Sequence, residues 1–289
     1  MKKKKVIFDM ELNDPDDYFA LIFLSSHPLI DLTGVTIYPG NKDQVGCVKT
    51  ILKTMNKNIP VGSDLLDIEY SLNSIHHSFV SFFPAEPDMS AIELLKQSIE
   101  SGSILFTGAP LTNIKNLLKT YPNFSIPLLY GQGGFAGCNV APVVYRSFKK
   151  KTTIRTFNFC SDIEATDLVL KTKGKKFFTS KNVTHHCKYT KDTHLKLKNF
   201  NNSLGLSLIY KGMNTYLQQR NGKAKNFHDV LAAMTIVSDC VVNFKEVEMY
   251  HETNIKGFME WGSKAKKGTD VFVSINYDKE IFFQLLTEI

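Results

Sequence analysis

Residues 9–17 read DMELNDPDD and hold five carboxylates, Asp9, Glu11, Asp14, Asp16 and Asp17, in a chain whose formal charge is +7. Carboxylates crowded together repel one another unless a cation or a proton intervenes. An oxygen-only set suits a hard cation, calcium or magnesium, better than zinc. A plainer account covers part of the cluster. Pro15 fits the first position of a helix, which makes Asp14 its N-cap. Asp16 and Asp17 then fall in the first turn, where free N–H groups and the helix dipole favour acids. Asp9 and Glu11, at the end of the preceding apolar run, are left over. Far downstream, NFHDVLAAMTIV (residues 226–237) sets His228 and Asp229 at the start of another apolar helix. Asp229 and His228 read locally as an N-cap and a loop histidine. If that helix start reaches the acidic turn, Asp229 closes a calcium cage and His228 becomes an acid beside it.

The elements that must bring these residues together follow from the pattern. KKVIFD is a short β-branched run ending in an acid, a buried strand. PDDYFALIFLSSHP is apolar at helical length, with a proline at each end. DLTGVTIYPGN, IPVGS, SILFTG and SIPLLYGQGG read as further strands. KDQVGCVKTILKTMNK, SAIELLKQSIESG and APLTNIKNLLKTYP read as the helices between them. Strand and helix alternating at this spacing predict an α/β fold: an open, mostly parallel central sheet with helices on both faces. Ligands of such sheets bind beyond the carboxyl ends of the strands. Four polar groupings fall there: the acidic turn, YPGN, TGAPLTN and GGFAGCN. The second half predicts helices near DIEATDLVLKT and over 205–220 and 228–238. It also predicts strands near KKFFTS, KEVEMYH and TDVFVSIN. No linker or repeat divides the chain, so residues 1–289 read as one domain.

Composition narrows the function classes. Hydrophobic content of 43% and charged content of 22% are those of a globular protein. Lysine runs at Lys2–Lys5, Lys149–Lys151 and Lys171–Lys176 lack interleaved aromatic or Arg-Gly patterning. They read as solvated surface, not as a nucleic-acid footprint. The five cysteines are scattered and odd in number, which implies no disulfide framework. THHCKYT (residues 184–190) places His185, His186 and Cys187 together, but adjacent side chains diverge and no second ligand pair has zinc spacing. After MKKKK, acids stand where a signal peptide needs an apolar stretch, and no run is long enough to span a membrane. The expectation is a reduced, soluble, cytoplasmic protein with no membrane or nucleic-acid partner.

Six segments in order resemble the inosine-uridine-preferring nucleoside hydrolase family. DMELNDPDD is similar to its opening D-x-D-P-G-x-D-D, with one extra residue and a glutamate for the second aspartate. GVTIYPGN resembles its second strand ending in Gly-Asn, and FTGAPLTNI its T-G-x-L-T-N-I, again one residue longer. GQGGFAGCNVAP resembles the glycine-rich turn before a ribose-binding asparagine. TFNFCSDIEA is similar to E-F-N-x-x-x-D-P-x-A, and FHDVLA matches the late H-D motif. A haloacid-dehalogenase phosphatase also opens on a strand with paired acids. DMEL lacks its following threonine, however, and no later strand ends in the acidic pair that would complete a magnesium site.

The resemblance implies a nucleoside hydrolase-like domain with a Rossmann-like core that cleaves the N-glycosidic bond of a ribonucleoside, using a bound calcium ion. It implies a role in purine or pyrimidine salvage and assembly as a homo-oligomer. Carried over, Asp17 and Asp229 are calcium ligands and Asp16 partners the ribose 2′-hydroxyl. Glu11 is ligand and general base, with Asp14 the alternative source of that oxygen. The backbone carbonyl of Thr107, or of Gly108 given the extra residue, completes the protein's share. Asn41, Asn139 and Asn158 fall at substrate-binding positions. His228 protonates or orients the leaving base, and Asp9 supports the cluster from the strand end. Thr156 stands where the family has a ribose-binding glutamate, and a lysine-rich insertion over 143–155 separates Asn139 from Asn158. Those departures support a second reading, a non-catalytic nucleoside- or ribose-binding protein that keeps the metal site.

Overall fold

The computed structural model describes residues 2–289 except 66, 68, 70, 71, 73, 143, 144, 201 and 202. Two residues of the lysine-rich insertion therefore lie outside the described residues. The chain opens with β1 (Lys4–Met10), α1 (Pro15–Ser26), β2 (Ile30–Ile37), α2 (Lys42–Thr54) and β3 (Val61–Gly62). It continues through α3 (Ser74–Phe79), α4 (Ala91–Glu100), β4 (Ile104–Thr107), α5 (Thr112–Thr120) and β5 (Leu128–Gln132). The middle holds β6 (Thr153–Ile154), α6 (Phe157–Ser161), α7 (Ile163–Lys171), β7 (Lys175–Thr179) and α8 (Lys181–Thr184). Next come β8 (Lys188–Tyr189), α9 (Lys191–Leu197), α10 (Leu204–Gln219), β9 (Lys225–Asn226) and α11 (His228–Val237). The chain ends with β10 (Val242–Thr253), β11 (Met259–Ala265), β12 (Val271–Tyr277) and α12 (Lys279–Thr287).

Among the described residues, one ten-stranded sheet runs β3-β2-β1-β4-β5-β7-β12-β10-β11-β6. Strands β3 to β12 in that order are parallel, while β10 is antiparallel to both β12 and β11, and β6 to β11. Val6 to Met10 are all buried, as a strand covered on both faces requires. One face packs against α1, α2, α10, α11 and α12 through residues such as Phe19, Val48, Met213, Leu231 and Leu286. The other packs against α4, α5 and α7 through Leu95, Leu117 and Val169, with Trp261 beneath. The expected parallel sheet with helices on both faces is the observed one.

Helix α1 is buried from Pro15 to Ser25. An apolar surface on every side explains this, because such a helix is stable only inside the molecule. Its C-cap His27 donates its N–H to Phe23 O at 2.9 Å, and Pro28 follows. Strand β11, the two-residue strands β6, β8 and β9, and helix α12 were not expected from the sequence. Two residues carry no period, and MEWGSKA mixes polar and apolar positions around a glycine. No helix among the described residues is long and apolar enough to cross a membrane.

Candidate active site

The acidic turn sits where the parallel strands end. Asp9 lies in register with Thr36 of β2 and Thr107 of β4. Its carboxylate accepts hydrogen bonds from Thr36 Oγ1 (2.7 Å), Asn113 Nδ2 (2.8 Å) and Thr107 Oγ1 (3.4 Å). Its carbonyl accepts from Gly108 N at 2.9 Å. Asp9 thus ties three strand ends and the start of α5 together beneath the site. Burial pushes its carboxyl up to about 6 despite those bonds.

A cavity of about 340 Å³ opens just beyond these strand ends, bordered by Glu11, Gly108 and Gln132. It is within the size range of small-molecule sites. Its walls include Glu11, Asp14, Asp16, Asp17, Gly108, Thr156, Asn158, His228 and Asp229. Helices α1 and α11 pack side by side, which brings Asp229 to the first turn of α1. One carboxylate oxygen from each of Asp16, Asp17 and Asp229 lies within 4.8 Å of the others. The Asp229 N–H donates to Asp16 Oδ2 at 2.9 Å. Asp17 Oδ2 accepts from the N–H groups of Asn13 (3.0 Å) and Asp14 (3.1 Å). A Cβ on Gly108 would stand 3.0 Å from Asp229 Cγ, so the glycine lets the Asp229 carboxylate sit this close without being displaced.

The charges of the cluster are unequal. Burial and the surrounding charges of Asp229, Asp14 and Asp16 push Glu11 well above the usual carboxylate range. Asp17 is raised likewise by burial, a hydrogen bond with Asp229 and the charges of Asp229, Glu11 and Asp16. Burial and Asp16 take Asp229 up to about 8. Burial acts upward on Asp16 as well, but the Lys225 ammonium and the His228 ring outweigh it, and its carboxyl lies below its ordinary value. Without a cation, burial and the facing acids favour the protonated forms of Asp17, Asp229 and Glu11. An all-oxygen donor set that repels itself this strongly fits a hard dication.

His228 Nδ1 meets Thr184 Oγ1 at 2.8 Å, and burial lowers its ring to about 4. Asn158, in α6, donates its amide to Gly108 O (2.9 Å) and to Gln132 O and Oε1 (3.0 and 2.9 Å). Its oxygen is therefore the end left to accept a hydroxyl.

The sequence expectations meet the geometry unevenly. Glu11, Asp14, Asp16, Asp17, Thr156, Asn158, His228 and Asp229 line one cavity. Asn41 does not: it is the N-cap of α2 and accepts from Gln44 N at 3.0 Å. Asn139 does not either, because its amide is drawn to Ser263 O at 2.7 Å on the antiparallel edge. The Thr107 side chain is buried against Asp9, and it is Gly108 that reaches the cavity wall. Asp14 is the N-cap of α1, yet its side chain is paired with Lys225. Of the His-His-Cys run, His185 lines the cavity, His186 stacks on Tyr145 and Cys187 is buried.

Sequence reasoning missed Asn13, Gln132, Phe157, Lys181 and His185 as wall residues. It also missed Lys225, whose ammonium reaches Asp14 Oδ1 at 2.9 Å and Asp16 Oδ1 at 2.7 Å. The sequence reads RNGKAKNFHD there, so Lys225 stands among Arg220 and Lys223 and nothing local marks it out from surface cations.

The model of the family described as inosine-uridine preferring nucleoside hydrolase matches residues 6–284. An uncharacterized protein of Aquifex aeolicus (strain VF5) is 26% identical over 288 residues, 95% of each chain. A solved plant nucleoside hydrolase covers 99% of this chain and 98% of its own at 18% identity, with a TM-score of 0.75. The inosine-uridine preferring nucleoside hydrolase of Bacillus anthracis covers 98% of both chains at 16% identity, also with a TM-score of 0.75. A purine-preferring ribonucleoside hydrolase from Gardnerella vaginalis covers 99% of this chain and 97% of its own, at 16% identity and a TM-score of 0.71. Those three likenesses are of fold. The family match is of sequence and runs nearly end to end, over the residues that build the acidic cavity: the chain belongs to the inosine-uridine preferring nucleoside hydrolase family, and is by that membership an N-glycosyl hydrolase.

Proposed function

We propose that the protein is a calcium-dependent hydrolase that cleaves the N-glycosidic bond of a ribonucleoside or related N-riboside to free base and ribose. The observation that carries this is the convergence of Asp16, Asp17 and Asp229 in a cavity that also presents Asn158 and His228. Asp17 and Asp229, with Glu11 and a carbonyl at Thr107 or Gly108, would hold the ion. A bound dication there supplies an anchor for the ribose diol and acidifies the attacking water.

The chain's own residues do the rest. Asp16, which lines the cavity, accepts a hydrogen bond from the ribose 2′-hydroxyl, and Asn158 Oδ1 accepts one from a neighbouring hydroxyl. Together they fix the sugar so that C1′ faces the water. Glu11 takes the water's proton as the new C–O bond forms and the C–N bond breaks, through an oxocarbenium-like transition state. Pairing of Asp14 with Lys225 favours Glu11 over Asp14 as that base. The electrons of the broken bond go to the base, which needs a hydrogen bond or a proton. His228 is neutral at physiological pH. In the tautomer where Thr184 donates to Nδ1, Nε2–H is presented as a neutral donor to the leaving base.

The test is a panel of purine and pyrimidine nucleosides with calcium, read as reducing sugar and free base. Release of ribose that stops on chelation and returns with calcium supports the proposal. Nucleoside and calcium binding without ribose from any nucleoside overturns it in favour of a binding protein.

A further inference from the structure

Lys225 is 4% exposed and enters the site from β9, whose pairing with β8 sets it opposite the buried Tyr189. Its ammonium contacts Asp14 Oδ1 (2.9 Å), Asp16 Oδ1 (2.7 Å) and the carbonyl of Asn226 (2.6 Å). An ammonium has three N–H donors and no acceptor. All three are spent, so Lys225 has nothing left with which to hold a substrate. Whatever it does, it does through the two carboxylates.

Those carboxylates differ. The Asp14 side chain is 48% exposed at the cavity mouth, whereas that of Asp16 is 2% exposed on its floor. Asp16 is pinned at both oxygens, by Lys225 on Oδ1 and by the Asp229 N–H on Oδ2. Asp14 is held on the same ammonium beside Asp16, and it is not one of the three acids whose oxygens converge within 4.8 Å. A turn with five acids offers a dication more ligands than one sugar-binding site can use. An internal cation that occupies one acid and orients another resolves that surplus.

We propose that Lys225 is a positioning residue: it withholds Asp14 from the metal and fixes Asp16 for the ribose hydroxyl, leaving Asp17, Asp229 and Glu11 as the metal's carboxylates. The inference deepens the proposed function and rests on it for the ribose and the metal.

Calcium titration by calorimetry, with turnover measured on the same preparations, tests it in wild-type protein and in Lys225→Met, Lys225→Arg and Asp14→Asn. Asp14→Asn should bind calcium within about threefold of wild type, since a withheld group contributes no ligand. Lys225→Met should bind calcium about tenfold more tightly, because a neighbouring positive charge is gone. Its kcat should nonetheless fall about tenfold or more, because Asp16 has lost its anchor. Lys225→Arg should recover part of kcat by restoring the ion pairs. Loss of calcium binding in Asp14→Asn overturns the proposal by making Asp14 a ligand. So does wild-type turnover in Lys225→Met, or a parallel loss of its calcium affinity, turnover and melting temperature. If Lys225→Met does not fold, Asp14→Asn decides alone. A wild-type protein that binds calcium but releases no ribose sinks the proposed function, while the calcium titrations still judge the clamp.

Discussion

In a chelating buffer the protein should lose stability as the pH rises from 6.5 to 8. Asp229 titrates at about 8 in the folded protein, and Glu11 and Asp17 lie well above the carboxylate range, in each case through burial first. Each is a folded value above the unfolded one. The stability tied to the retained proton is complete below the unfolded pKa and is lost as the pH rises through the folded pKa. One such proton costs about 1.4 kcal/mol per pH unit, hence about 2 kcal/mol across this window. With an unfolding entropy of about 2.1 cal/mol/K per residue, a chain of 289 residues should drop about 3 °C in Tm per retained proton. Below 6.5 His228 works in the opposite direction and offsets one of these protons. Burial takes His228 down to about 4, so its contribution is present above the unfolded histidine value and lost as the pH falls towards 4. Calorimetry at several pH values, with chelator and with saturating calcium, measures this. Calcium should abolish the alkaline slope by displacing the protons, and its affinity should climb over the same range. A Tm in chelator that is flat or rises from pH 6.5 to 8 refutes the claim that burial holds protons on these acids.

Three substitutions probe the site further. Asp229→Ala removes one of the three converging carboxylates and should weaken calcium binding at least about a hundredfold by titration calorimetry, unpaired buried acids being left behind. His228→Ala should leave calcium affinity intact while kcat falls by about 10²–10⁴, the usual worth of a hydrogen-bonding or proton-donating group at a leaving atom. A matched loss of calcium binding would assign His228 to the cage instead. Gly108→Ala sets a methyl 3.0–3.2 Å from the Asp229 carboxylate, so Asp229 must move by a few tenths of an ångström. Calcium affinity should fall several-fold with a Tm change of about 1 kcal/mol equivalent or less. Unchanged affinity would show that the cage tolerates the shift.

Local pattern already carried much of this protein. KKVIFD announced a short buried strand, and PDDYFALIFLSSHP an apolar helix with Pro15 near its start, because side-chain periodicity and the proline ring act within a few residues. The surplus of acid in residues 9–17 pointed to a charge problem that some partner must solve. Spacing could not say which acid does what. Asp9 became the knot beneath the site because register sets it beside Thr36 and Thr107, and Asp14 is paired with Lys225, over two hundred residues away. Asn41 and Asn139 stood at the expected positions, yet a helix start and the Ser263 carbonyl claim them. Strand β10 was legible as KEVEMYH, but its antiparallel pairing with β11, and that of β11 with β6, was not, for the same reason. Composition and period fix elements over a few residues, whereas hydrogen bonds and ion pairs between distant segments form only once strand order brings their ends together.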